Sequence, residues 1–254
     1  MAIHEEAQRN HDELFPDHRS TLAVTDPELV ELFDNWAFGE VPTDAALDTR
    51  TRVMVQLAAL IACHAVAEYR VMLDGALNVG VTPVEAKEIV YQAVAYVGMG
   101  WVFDVLHATN DVLLDRGVAL PLPGQSTSTP ETRFEKGLAV QRRLFGERID
   151  RMHAEAPEDQ RHVQRYLSAN CFGDVLTRTG LDLKTRELLT FSMIASLGGC
   201  EPQLAAHVSG NLAAGNDRKV LLGAVTALLP FIGYPRGLNA IRVVNEGISG
   251  RPAS

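Results

Sequence analysis

The sequence predicts an all-α protein made of two similar helical units in tandem. Three observations lead there. The chain repeats itself: residues 38–52, FGEVPTDAALDTRTR, align without gaps with residues 172–186, FGDVLTRTGLDLKTR. Apolar residues recur three and four apart and no segment alternates at period two, which is the spacing of helix faces rather than strands. Helix-start and helix-stop signals separate the apolar runs.

In the repeat, Phe38/Phe172, Gly39/Gly173, Val41/Val175, Leu47/Leu181, Asp48/Asp182, Thr51/Thr185 and Arg52/Arg186 match at an offset of 134. Further on the offset becomes 135, and Gly75/Gly210, Leu77/Leu212, Gly80/Gly215, Val90/Val225, Gly98/Gly233 and Asn110/Asn245 match.

Taken in order, the chain begins with a polar segment. Its His4, His11 and His18, spaced by seven, are expected to be solvated rather than to bind a metal. Thr25, Pro27 and Glu28 then predict a helix start. Residues 51–77 keep helical period without a turn signal. Thr82, Pro83 and Glu85 form a capping-box pattern, and Gly98 is placed to end that helix. A connector rich in proline, serine and threonine follows at 116–133. The expected division is a first domain at 1–118, a linker at 119–131 and a second domain at 132–254. In the second unit Gly198-Gly199 should interrupt a helix and Pro202 should open the next, which puts Cys200 just before a helix N-terminus.

Bulk composition narrows the function. The chain has 254 residues, 46% hydrophobic and 22% charged, with a formal charge of −9. That is the profile of a globular protein able to bury a core without staples. The acidic balance argues against nucleic-acid and anionic-membrane partners. The three cysteines lie far apart with no CxxC, so a cytoplasmic, reducing location is expected. No phosphate loop, HExxH, nucleophile elbow or dinucleotide fingerprint occurs, so neither cofactor nor metal is expected.

Residues 181–246 carry a recognisable pattern: the LDLKTREL entry, His207 three residues before Gly210, the LAAG turn, and GYPRGLNA opening a last helix. This stretch resembles the carboxymuconolactone decarboxylase family, and residues 47–111 resemble it more distantly. The resemblance implies helical domains that assemble as trimers or hexamers, so a homotrimer of tandem chains is expected. It also implies one of two chemistries, lactone decarboxylation or alkylhydroperoxidase D-like thiol chemistry. In the thiol branch two cysteines lie seven and four residues before the histidine. Here Cys200 fills the first place and Gln203 the second, so the resolving thiol is missing. Cys171 could replace it only if the fold brings it near.

The candidate catalytic residues are therefore His207, Glu187 and Cys200. A histidine can act as general acid or base near neutrality, and Gln203, one turn earlier, shares its face. By the resemblance, Glu187 assists from upstream; the alternative is a solvated glutamate in a first helical turn. A helix N-terminus favours a thiolate at Cys200, unless it is merely a small buried residue. Arg186, Arg236 and Asn239 are candidates to hold a substrate carboxylate, unless the arginines make surface or interface ion pairs. In the first unit Met72, Val53 and Trp101 stand where His207, Glu187 and Arg236 stand in the second. That unit keeps Glu68, Cys63-His64 and His107 and is expected to be largely structural. The expected function is a cofactor-free acid/base lyase or isomerase. Its substrate would be a small anionic lactone or keto acid, in aromatic catabolism or natural-product tailoring. A thiol peroxidase centred on Cys200 and a non-catalytic assembly protein are the alternatives.

Overall fold

The computed structural model describes residues 2–16 and 18–249, and among them there are helices and turns but no strand. The first half contains α1 (Glu5–Leu14), α2 (Leu22–Thr25), α3 (Pro27–Asp34), α4 (Val41–Ala45), α5 (Thr49–Ala62), α6 (Val66–Asn78), α7 (Pro83–Val97) and α8 (Met99–Asp115). A π-helical stretch, Asn35–Glu40, joins α3 to α4. The second half contains α9 (Arg133–Phe145), α10 (Arg148–Glu155), α11 (Arg161–Tyr166), α12 (Leu183–Leu197), α13 (Glu201–Ala214) and α14 (Arg218–Ser249). A longer π-helical stretch, Leu167–Leu176, continues α11.

The repeated Leu-Asp-x-x-Thr sequence is a helix start. Asp48 accepts a hydrogen bond from the Thr51 N–H at 2.9 Å to cap α5, and Asp182 accepts from the Thr185 N–H at 2.7 Å to cap α12. The capping box at Thr82 and Glu85 forms as the sequence predicts. At α3 the outcome differs: Asp26 is the N-cap, and Thr25 closes the short α2.

The run at 51–77 is not one helix. It breaks between Ala62 and Val66, where His64 adopts φ +53°. The second half breaks at the same place, there through Gly198 and Gly199 at φ +69° and +71°. A histidine carries no turn signal, so periodicity alone ran through the break. Gly98 (φ 81°) ends α7, and Gly233 (φ 74°) divides α14 in the same way. On length and composition alone α14 could cross a membrane. Gly233 divides it, however, and Leu221, Ala224, Val225 and Leu228 bury one face in the core.

The halves interlock. α5 and α12 lie against each other at the centre, buried on nearly every face from Arg52 to Ala62 and from Arg186 to Ser196. α7 of the first half packs on α12, and α14 of the second packs on α5. Hydrogen bonds follow the same exchange. Gln92 Nε2 donates to Arg186 O at 2.8 Å and Thr190 Oγ1 at 2.9 Å, while Gln56 Nε2 donates to Ala227 O at 3.1 Å. One main hydrophobic cluster runs from Ala7 to Val244, so the two units share a core. The connector between Asp115 and Arg133 is non-helical and is tied to the second half, with Thr127 Oγ1 donating to Thr177 O at 2.9 Å.

The first helices correspond as well. α1 packs on the Asn35–Glu40 stretch as α9 packs on Leu167–Leu176. A side chain at Gly75 would meet Phe15, and one at Gly210 would meet Phe145. His11, expected to be solvated, instead lies among rings, with centroids 5.3 Å from both Phe15 and Phe38. Its turn of α1 faces the core, and the imidazole edge fills space there.

Candidate active site

Glu187 sits one turn into α12, beyond the first turn expected for it, and is fully buried. That burial is not the solvated alternative. Its Oε2 lies 2.9 Å from His207 Nδ1 on α13. Asn211 fastens the two helices, donating to Glu187 O at 2.9 Å and His207 O at 2.8 Å. Gly210 makes the pair possible, because a Cβ there would stand 2.6 Å from Glu187 Oε2. The other carboxylate oxygen, Oε1, is buried without a partner.

His207 forms part of the wall of a cavity of about 330 Å³. α13 contributes Cys200, Gln203 and Ala206 beside it; the π-helical stretch contributes Leu167, Cys171 and Phe172; the α9–α10 corner contributes Gln141, Phe145, Arg148, Ile149 and Met152. Ile194 and Leu197 come from α12, and Ala95 and Tyr96 come from α7 of the first half. The site therefore spans both units. Two rings meet the imidazole edge-on, Tyr96 at 6.0 Å and Phe145 at 5.7 Å between centroids.

A carboxylate on Nδ1 selects the tautomer and the ring orientation and stabilises the protonated ring. Nε2 makes no hydrogen bond among the described residues, so it is the nitrogen left for a ligand. Burial, with Cys171 and Glu187 nearby, holds the Tyr96 phenol well above its ordinary pKa. Burial also pushes the Cys171 thiol up to about 11, and that thiol lies 3.6 Å from the Tyr96 hydroxyl. Both groups are protonated at neutral pH. Cys200 is half-buried and is the N-cap of α13, as expected, with Pro202 in the first turn.

Four predicted residues thus come together: His207, Cys200 and Gln203 on the wall, and Glu187 behind it. Three do not. Arg186 is fully buried; its guanidinium donates to Glu88 Oε2 at 2.7 Å and Gln92 Oε1 at 3.1 Å. Arg178 holds the same Glu88 through a fork at 2.8–3.0 Å. Arg186 is committed to joining the halves and cannot reach a substrate. Arg236 and Asn239 are exposed and outside the cavity; Arg236 Nη1 lies 3.5 Å from Cys63 Sγ. Of the first unit's remaining candidates, His64 lies tilted against Trp101 at 5.5 Å and His107 meets Phe103 at 4.7 Å, and neither lines the cavity. Sequence reasoning missed Arg148, Phe145 and Tyr96. The Leu14-Phe15 and Leu144-Phe145 match, which extends the repeat into α1 and α9, is the signal that could have found the α9 wall.

The model of the carboxymuconolactone decarboxylase family matches residues 27–111 and 161–246. The chain belongs to this family. The carboxymuconolactone decarboxylase pattern thus occurs twice, and its second copy contains Glu187, Cys200 and His207. A 4-carboxymuconolactone decarboxylase of Acinetobacter baylyi is 33% identical over 117 residues, spanning 46% of this chain and 87% of that protein. A nitrosuccinic acid decarboxylase of Metarhizium robertsii is 32% identical over 85 residues, 34% of this chain and 59% of that protein. A crystal structure from Burkholderia xenovorans, described as a candidate gamma-carboxymuconolactone decarboxylase subunit, shares the fold. Its TM-score is 0.52 at 21% identity, covering 96% of this chain and 97% of that one. The α9–α10 wall of the cavity lies outside both family segments.

Proposed function

We propose that the chain is a cofactor-independent decarboxylase acting on a small organic acid whose departing carboxylate lies β to a carbonyl, directly or through a conjugated double bond. The observation that carries this reading is the buried Glu187–His207 pair, with His207 lining a partly open cavity that has aromatic side chains in its wall. Membership of a family with decarboxylase-named relatives supports it.

In the proposed step the bond between the substrate and its carboxylate breaks, and carbon dioxide leaves. The electron pair stays on the substrate, delocalised to the carbonyl oxygen. Protonated His207 gives its Nε2 proton to the carbanionic carbon and becomes neutral imidazole, which solvent reprotonates. Glu187 stabilises the charged ring before transfer and keeps Nε2 aimed. The test is carbon dioxide release from a panel of lactone acids and β-keto acids. His207→Gln should lower turnover by about 10²–10⁴-fold. An unchanged rate on a substrate the wild type turns over would refute the assignment.

A thiol reading has one observation in its favour, since Cys200 and Cys171 line the same cavity. Against it, a thiol pushed to about 11 is protonated and a poor nucleophile. Iodoacetamide at pH 8 should label Cys200 and spare Cys171. Mild peroxide that oxidised Cys200 and then joined it to Cys171 would revive this reading. For assembly, Trp101, Phe103, Tyr234 and Leu238 are large exposed apolar side chains, and we propose that they are covered in a homotrimer. Sedimentation equilibrium reads the outcome directly.

A further inference from the structure

The proposed reaction needs an anion held, and the arginines predicted to hold it point elsewhere. Among the residues lining the cavity, Arg148 is the one arginine or lysine. It opens α10, is exposed, and makes no ion pair or hydrogen bond among the described residues. Its neighbour Asp150 does not neutralise it, because Arg142 binds both Asp150 oxygens at 2.6–3.3 Å. Gln203, which also lines the cavity, has an amide likewise without a partner among the described residues. Much of the rest of the wall is apolar, including Phe145, Ile149 and Leu197.

Resting on the decarboxylase reading, we infer that Arg148 is the specificity residue of this site, anchoring an acidic group of the substrate that stays through the reaction. The argument is electrostatic. Departing carbon dioxide is neutral, so a cation gripping the departing carboxylate binds the ground state more strongly than the transition state and slows the step. A cation on a retained carboxylate binds both states equally and fixes position. The departing group therefore belongs against the aromatic side chains of Tyr96, Phe145 and Phe172, with His207 facing the carbon that takes the proton rather than the carboxylate, and the retained group belongs at Arg148. Arg148 lies outside both family segments, so it distinguishes substrates within the shared chemistry.

The test uses the full chain with glutarate, its monomethyl ester and its dimethyl ester as probes, and Cys200 as reporter. Occupancy of the cavity should slow iodoacetamide labelling of Cys200, resolved by peptide mass spectrometry, while Cys63 outside the cavity labels unchanged. Protection should rank dianion, monoester, diester, and should weaken with added salt because Arg148 is exposed. Arg148→Gln should weaken glutarate binding about 10–100-fold and erase the ranking. Arg148→Lys should keep part of it, and Arg236→Gln should leave it unchanged. Unaltered protection in Arg148→Gln, or no protection of the wild type by the charged probes, overturns the inference. His207→Gln should keep the ranking of dianion, monoester and diester, since that ranking comes from Arg148. If it also kept turnover, the proposed reaction would fail while the anchor stood.

Discussion

Over Gly75 in the first half stands Phe15, and over Gly210 in the second stands Phe145. Both glycines lie within helices, but their surroundings differ. Phe15, Leu14, Ala37 and Phe38 belong to the main core, whereas their counterparts Leu144, Cys171 and Phe172 form a small separate cluster. The cavity opens between that cluster and the core. In the first half the same space is filled by a chain of rings, with Phe15–Phe38 at 6.1 Å, Phe33–Phe38 at 6.3 Å and Phe33–Phe231 at 6.4 Å. Val53 and Met72, both buried, replace Glu187 and His207. One copy of the unit completes its packing; the other leaves packing undone and keeps a buried carboxylate with an unpartnered oxygen. Burying a carboxylate with one oxygen unpartnered costs stability, and that asymmetry agrees with the proposal that the reaction belongs to the second half.

The sharpest way to break the comparison is to make the second half like the first. The double variant Glu187→Val, His207→Met should lose turnover by about 10²–10⁴-fold. Its urea midpoint should rise, by the equivalent of about 1–4 kcal/mol, because a buried polar pair with one carboxylate oxygen unpartnered is replaced by apolar side chains. A dead enzyme with a lowered midpoint would mean that the pair serves folding. The converse comparison is between the two phenylalanines. Phe15→Ala should cost about 3–5 kcal/mol, the usual loss for a buried ring in a filled core. Phe145→Ala should cost clearly less, since one side of that ring already faces a cavity. Equal losses would show that the cavity closes in solution.

Much of this asymmetry was legible in the sequence, and the reasons for the rest are physical. Substitution of His207 by Met72 and of Glu187 by Val53 can be read from the repeat alone, as can the capping aspartates and the glycine breaks. The burial of Glu187 cannot, because the rings around its partner, Tyr96 and Phe145, come from segments far away in the chain. Arg186 and Glu187 are adjacent in one helix, and nothing local says which serves a site and which a scaffold. α12 is buried on nearly all faces, so it has no polar stripe to orient them. Arg186 went to the scaffold because Glu88, a residue of α7, reached it from the other half.

A smaller effect separates the two glycines themselves. Gly75→Ala places a methyl group against the Phe15 ring and should cost about 1–3 kcal/mol by overpacking. Gly210→Ala places one 2.6 Å from Glu187 Oε2, so its effect should appear first in turnover. Displacing the carboxylate by about 1 Å should lower the rate by roughly 10²-fold. If both variants lost stability alike and Gly210→Ala kept full activity, the Glu187–His207 contact would not be part of the reaction.

The smallest expected difference lies at the helix break that both halves share. Gly199 takes φ +71° with open space around its Cα, and His64 takes φ +53° in the first half. A side chain in that region costs about 1–2 kcal/mol, so Gly199→Ala should destabilise by that amount with no clash to add. His64→Gly removes the same strain but loosens the unfolded chain and forfeits the ring contact with Trp101 at 5.5 Å. The opposing terms should leave its urea midpoint nearly unmoved, within about 0.5 kcal/mol. A clear stabilisation of His64→Gly would mean that the Trp101 contact contributes nothing and the first half tolerates strain there. A clear loss would mean that the histidine, rather than the turn, holds α6 to α8.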